Sequence, residues 1–188
     1  GTTYLQSFLS QNVLFLNSQG IDYPYAETQE TIQAGACVGN VVRLMFLSGL
    51  FGHNTKSQKP PSFKKNWGAK CTKRVSEVIE TSEYGTILFS AEGMSALSMN
   101  DVREIKNNLA EKYDIEIILF VRDPFDYFYS AWKQVVKAYG CKYNFIEYLN
   151  RRLSAEKPMA DNMISAFTKY KEGEMRVKVI NYDSFKSR

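Results

Sequence analysis

The stretch IEIILFVRDPFDYFYSAW, residues 115–132, decides how this chain is read. Its first seven residues are apolar at nearly every position towards the end, the pattern of a central strand in a parallel sheet covered on both faces. Arg122-Asp123-Pro124 then breaks the run. Beyond the break, Phe125, Phe128, Tyr129, Trp132, Val135, Val136 and Tyr139 recur at helical intervals until Gly140. The unit is strand, turn, helix. Pro124 suits a first helical turn, where its missing N–H is no loss, and Asp123 can cap that turn, so the break has an ordinary local explanation. Arg122 has a second one. A guanidinium at the carboxyl end of a buried strand lies where anionic ligands dock, and its fork matches a phosphate in bidentate fashion. Trp132 reads as core or as a ring that stacks on a bound ligand.

Working outward, TILFS at 86–90 follows the Gly85 break as a β-prone run, and RVKVINY at 176–182 supplies a last strand. VLFLN at 13–17 reads as a short buried segment of strand character. Helical patterns are expected over about Glu27–Leu50, around Val75, Val78 and Ile79, behind a Ser98 or Asn100 cap, and over about Phe145–Leu153 and Met159–Tyr170. Residues 53–70, HNTKSQKPPSFKKNWGAK, are polar, proline-interrupted and aperiodic, and read as a long loop or lid. Strands separated by helices of this length imply βαβ units. The expected fold is therefore α/β, a three-layer α/β/α sandwich around a central parallel sheet. Ligands in such sheets bind beyond the strand carboxyl ends, here SAEG after 86–90 and RDPFD after 115–121.

A length of 188 residues fits one domain, 1–188, with a full core. Apolar stretches are too short for a membrane span, and none matches a signal peptide, so no stable membrane insertion and a cytoplasmic setting are expected. Cys37, Cys71 and Cys141 are widely spaced and His53 is the one histidine, which supports neither a zinc site nor a disulfide framework. The net charge of +4 hides an asymmetry: between Glu30 and Glu77 there is no acidic residue but eight lysines and arginines, from Arg43 to Arg74. That run is either solvated surface or a basic lip for an anionic ligand.

The chain opens on GTTYLQSFL, residues 1–9. Leu5, Phe8 and Leu9 are at helical spacing, so Thr2 or Thr3 can serve as an ordinary N-cap. The same residues also suit a phosphate cradle, because glycine admits close backbone approach while hydroxyls and helix amides converge on oxyanions.

Taken together, Gly1-Thr2-Thr3 with Tyr4-Leu5-Gln6 behind it, and Arg122-Asp123-Pro124 with Ser130 eight residues after the arginine, resemble the sulfotransferases that use 3′-phosphoadenosine 5′-phosphosulfate (PAPS). The bacterial carbohydrate-type branch is the most similar, through the helix and GIDYP behind the loop. The resemblance implies a P-loop NTPase-like, nucleotide-kinase-like fold in which Gly1, Thr2, Thr3 and Tyr4 meet the 5′-phosphosulfate. Arg122 and Ser130 would hold the 3′-phosphate. A family lysine two residues before the glycine, the first strand and a C-terminal nucleotide-contacting segment have no counterpart in these residues.

The resemblance also implies a base for the acceptor hydroxyl or amine. Glu92 in FSAEGM matches its position, although a glutamate on a turn is ordinarily a cap or surface charge. His53, beside the basic loop, is the second candidate and Glu27 the third. No metal is called for, since arginine, lysine and helix N–H groups can stabilise the oxyanions. The expected acceptor is a glycan or small molecule, with no nucleic acid partner. Two other readings stay open: a nucleotide kinase or NTPase on the shared fold, without GxxxxGK[ST] in these residues, and a non-catalytic module holding acidic glycans on its basic segment.

Overall fold

The computed structural model describes residues 2–34, 37, 39–41, 44, 67–91, 94–95, 97–154 and 161–185. Two compact units emerge, Gly1–Met94 with Arg103–Lys112, and Ser95–Val102 with Tyr113–Arg188.

In the first unit, α1 (Thr2–Gln11) buries Gln6 and Leu9 on one side and leaves Tyr4 and Phe8 exposed. VLFLN is not a buried strand. It is α2 (Val13–Ser18), with Leu14 86% and Phe15 62% exposed. The reason is continuity: the Asn12 N–H donates back to the Phe8 and Leu9 carbonyls and the Leu16 N–H to the Asn12 carbonyl, so helical bonding runs on through the junction. Periodicity does not separate helix from strand in a run this short.

Gly20, at φ +74°, then turns the chain into β1 (Ile21–Asp22). This pairs in parallel with β2 (Thr86–Ile87), Ile21 opposite Thr86, and the Leu88 N–H extends the pairing to the Asp22 carbonyl at 2.8 Å. The helix expected from Glu27 starts at α3 (Gln29–Gln33), where the Thr28 side chain accepts the Thr31 N–H. It does not run unbroken to Leu50, because Gly39 takes φ +92°, outside any right-handed helix. The helix around Val75 is α4 (Trp67–Thr81), so residues 67–70 are helical rather than loop, and Thr72, Val75 and Val78 are its buried face.

Within Ser95–Val102 of the second unit, Ser98 is a cap: its Oγ accepts the Asp101 N–H while the Asp101 carboxylate accepts the Ser98 N–H, opening α5 (Met99–Ile105), whose end runs into the first unit's Arg103–Lys112. After a π-helical turn at Lys106–Ala110, β3 (Glu116–Val121) forms and pairs in parallel with β4 (Arg176–Asn181) over six residues. Parallel neighbours need a crossover, and among the described residues three helices lie in it. They are α6 (Pro124–Tyr139), α7 (Phe145–Leu153) and α8 (Asp161–Glu172). Gly140 in the left-handed region stops α6, and an Asn144–Glu147 capping box starts α7. The Lys169 ammonium donates to the Ser95 and Leu97 carbonyls and ties that segment to α8.

The run expected to be covered on both faces is only half covered. Ile117 is buried, whereas Ile118 and Phe120 are exposed. Among the described residues the architecture is mixed helix and strand, with two two-stranded parallel ladders. No helix among the described residues is long and apolar enough to cross a membrane.

Candidate functional site

Each parallel ladder carries polar groups beyond its carboxyl end, and the two sets differ in chemistry. In the second unit the β3–β4 register pairs Val121 with Asn181. Continued past the ladder, it sets Arg122 against Tyr182 and Asp123 against Asp183. Both pairs are in contact. The Arg122 guanidinium lies over the Tyr182 ring, 5.5 Å from its centroid, and the Asp123 N–H donates to Asp183 Oδ2 at 2.8 Å. Tyr182 and Asp183 belong to a single 3-10 turn, Tyr182–Phe185, directly after β4. The Asp183 N–H donates to Asn181 Oδ1, and the Ser184 hydroxyl to the Asn181 carbonyl, which fixes that turn.

Asp123 acts twice. Its carboxylate accepts the Phe125 N–H at 2.9 Å and the Asp126 N–H at 3.1 Å, capping α6. The leading amides of α6 therefore already hold an anion. Anion-binding capacity at this end lies in Arg122, whose Nε is buried without a hydrogen-bond partner among the described residues. An orphaned guanidinium nitrogen beside a strand end is the feature a phosphate oxygen would complete.

Ser130 is exposed on α6, at helical spacing from Asp126, Lys133 and Lys137. Two turns of helix separate it from the strand end. Trp132 is fixed elsewhere: its Nε1–H donates to the Tyr143 carbonyl at 2.9 Å, and its ring packs against Tyr129 and Phe145. The ring is half-buried and Phe125 and Tyr129 beside it are exposed, so this is a surface aromatic corner rather than the core expected of it. Phe125 and Tyr129 also meet Phe145 edge-on, each at 5.2 Å, so the helical stripe on α6 is shared between an aromatic corner with α7 and the buried Phe128.

In the first unit the chain beyond β1 and β2 closes on a buried polar knot. Asn40 is almost fully buried, and its amide spans residues 88–90: Nδ2 donates to the Leu88 carbonyl at 2.9 Å and Oδ1 accepts the Ser90 N–H at 2.7 Å. The Tyr23 hydroxyl meets Ser90 Oγ at 3.1 Å. Glu27, the third base candidate, is buried here. Its Oε1 accepts the Gly39 N–H at 3.2 Å and its own N–H donates to Ser10 Oγ at 3.0 Å. Glycine at 39 is required sterically, since a Cβ there would sit 2.3 Å from the Ser90 carbonyl oxygen. Burial pushes the Tyr23 hydroxyl above its ordinary range. Burial, with the Glu27 charge adding, does the same for the Cys37 thiol, which stays protonated and poorly nucleophilic.

The opening threonines lie within α1 rather than before it, since the helix starts at Thr2. The first amides of that helix have no intrahelical partners, as at any helix start. Tyr4 is exposed. Gly1, His53 and Glu92 lie outside the described residues, as do Lys56–Lys65 of the basic run. Arg74 of that run is on α4, paired with Glu77 one turn on.

The structure thus brings Arg122 to a strand end and buries Glu27 at another. Sequence reasoning missed Tyr182 against Arg122 with Asp183 beside it on the Asp123 N–H, and it missed Gly39 and Ser10 as the partners of Glu27. Only the parallel register would have found the first pair. Among the described residues no cluster of histidine, cysteine or carboxylate side chains is placed to hold a metal ion. No protein-family model, curated protein or solved structure matches this chain, so its residues and their geometry carry the functional argument.

Proposed function

We propose that this chain is a PAPS-dependent sulfotransferase acting in the cytoplasm on a hydroxyl or amine, with a carbohydrate as acceptor. In this reading the two parallel ladders belong to a three-layer, P-loop NTPase-like sandwich. The observation that carries it is Arg122, a guanidinium at the carboxyl end of a parallel strand with its buried Nε unpartnered among the described residues, followed by a helix bearing Ser130. That end suits a phosphate monoester. The 3′-phosphate distinguishes this donor from ATP, and Arg122 with Ser130 would bind it. Gly1, Thr2, Thr3 and Tyr4 would meet the 5′-phosphosulfate.

Sulfuryl transfer is in-line displacement through a loose transition state, so the protein's work is positioning and charge stabilisation. The bond from sulfur to the 5′-phosphate oxygen breaks with its electron pair leaving on the phosphate. The acceptor oxygen or nitrogen bonds to sulfur, and its proton passes to a base. Glu92 is the first candidate for that base and His53 the second. Glu27 gains support from its burial beyond β1, where a carboxylate held by the Gly39 N–H has fixed orientation.

Calorimetry with adenosine 3′,5′-bisphosphate, AMP and ATP tests the reading. The expected order is bisphosphate tightest by at least tenfold. Preference for ATP would replace the proposal with the nucleotide-kinase reading, and equal binding of bisphosphate and AMP would remove the 3′-phosphate site.

A further inference from the structure

We infer that Tyr182 is a positioning residue for the 3′-phosphate site: its ring face sets the Arg122 fork. The inference rests on the sulfotransferase reading and adds a residue that the motif comparison does not contain.

An arginine at a strand end has four rotatable side-chain bonds, and holding one geometry for a bidentate contact costs side-chain entropy. The cost falls if the chain's own packing fixes the fork first. Here the parallel register does this. Residues sixty apart are neighbours throughout β3 and β4, from Glu116 with Arg176 to Val121 with Asn181. One step further, the Arg122 guanidinium lies over the Tyr182 ring, within the 6 Å range of a cation–π contact. Two steps further, the Asp183 carboxylate fixes the Asp123 N–H, so backbone and side chain at the turn are both held from β4.

The Nε of Arg122 is buried yet bonded to no acceptor among the described residues. Had the arginine served only to brace the turn, a nearby carboxylate would be its natural partner. Asp183 supplies one to the backbone N–H of the next residue instead. A ring face supplies attraction without a lone pair in the plane of the fork. It therefore orients the guanidinium while leaving its in-plane donors for an incoming oxyanion.

The experiment compares Tyr182→Leu with Tyr182→Phe, which keeps the ring, in the full chain. Adenosine 3′,5′-bisphosphate and AMP are titrated calorimetrically, and thermal melting reports the fold. The leucine variant is expected to weaken the bisphosphate by about 3- to 10-fold. AMP binding should not change, and the phenylalanine variant should match the parent within about twofold. In the free protein the Arg122 Nε–H resonance should remain sharp in the parent and in Tyr182→Phe and exchange or broaden in Tyr182→Leu.

Equal weakening of both nucleotides by Tyr182→Leu would overturn the inference in favour of a merely structural tyrosine. So would loss in the phenylalanine variant, which would assign the effect to the hydroxyl, or an unchanged Nε–H signal. Arg122→Ala separates the two levels. If it weakens the bisphosphate while Tyr182→Leu does not, the positioning role alone is lost. If Arg122→Ala has no effect, the nucleotide reading falls and takes the inference with it.

Discussion

Arg122 and Asp123 are neighbours with opposite assignments: the aspartate spends its carboxylate on the amides of α6, and the arginine keeps its buried Nε unbonded among the described residues. The division yields a sharp expectation. Arg122→Ala removes a charged hydrogen-bond donor, and adenosine 3′,5′-bisphosphate should lose about 1.5–3 kcal/mol of binding. AMP should bind as before, and the difference is read by titration calorimetry. At this scale the sequence was partly legible. Asp123 and Pro124 announce a helix start by composition alone, and Arg122 gains meaning from the strand before it. Asn40 announces nothing, because its partners at Leu88 and Ser90 lie about fifty residues away and only the fold brings them together. Glu27 is similar: as a letter it is a surface carboxylate, and only the fold shows it buried with its carboxylate on the Gly39 N–H twelve residues on.

Elements with strong punctuation were legible and those without it were not. The α7 helix starts on its Asn144–Glu147 box, and α6 stops on Gly140, because those residue types satisfy end groups that sequence position reveals. VLFLN had no such marks and went to helix by continuation from α1. Within α8, Tyr170 offers a pH test. Burial raises its hydroxyl from the ordinary 10.0 to about 12. The folded state thus holds the proton more tightly than the unfolded chain. The stabilising contribution is complete below pH 10 and is lost as pH rises through the interval from 10.0 to about 12. Urea midpoints measured from pH 9 to 12 should fall over that interval by up to about 2–3 kcal/mol of stability. Tyr170→Phe should flatten part of the decline, with the raised Tyr23 hydroxyl accounting for some of the remainder.

For the whole molecule, the alternation of strand and helix correctly predicted parallel pairing, since a strand, a helical crossover and a second strand leave few other solutions. It did not predict how short the ladders are. Six residues of β3 pair with β4, but only two of β1 with β2, because Asn40 takes over as partner for residues 88–90 with its side chain. Unequal ladders imply unequal protection. Native-state hydrogen exchange should find amides of Ile117–Val121 and Val177–Asn181 slowest in their unit. Those of β1 and β2 should exchange at lower opening energies, as two-residue ladders break with little cooperative loss. Equal protection in both ladders would contradict this.

The spacing of sixty residues between β3 and its partner governs when the chain acquires its anion site during folding. Closing a loop of that length costs chain entropy before any ladder contact repays it, whereas α6, α7 and α8 form from contacts within a few residues. Arg122 and Tyr182 meet beyond the last paired residues, so the guanidinium is oriented only after the two strands have found each other. In stopped-flow refolding, helical ellipticity should recover first, and binding of a fluorescent adenosine bisphosphate should follow in the slowest phase. Acquisition of ligand competence together with the early helical signal would show that the site does not wait for the distant strand.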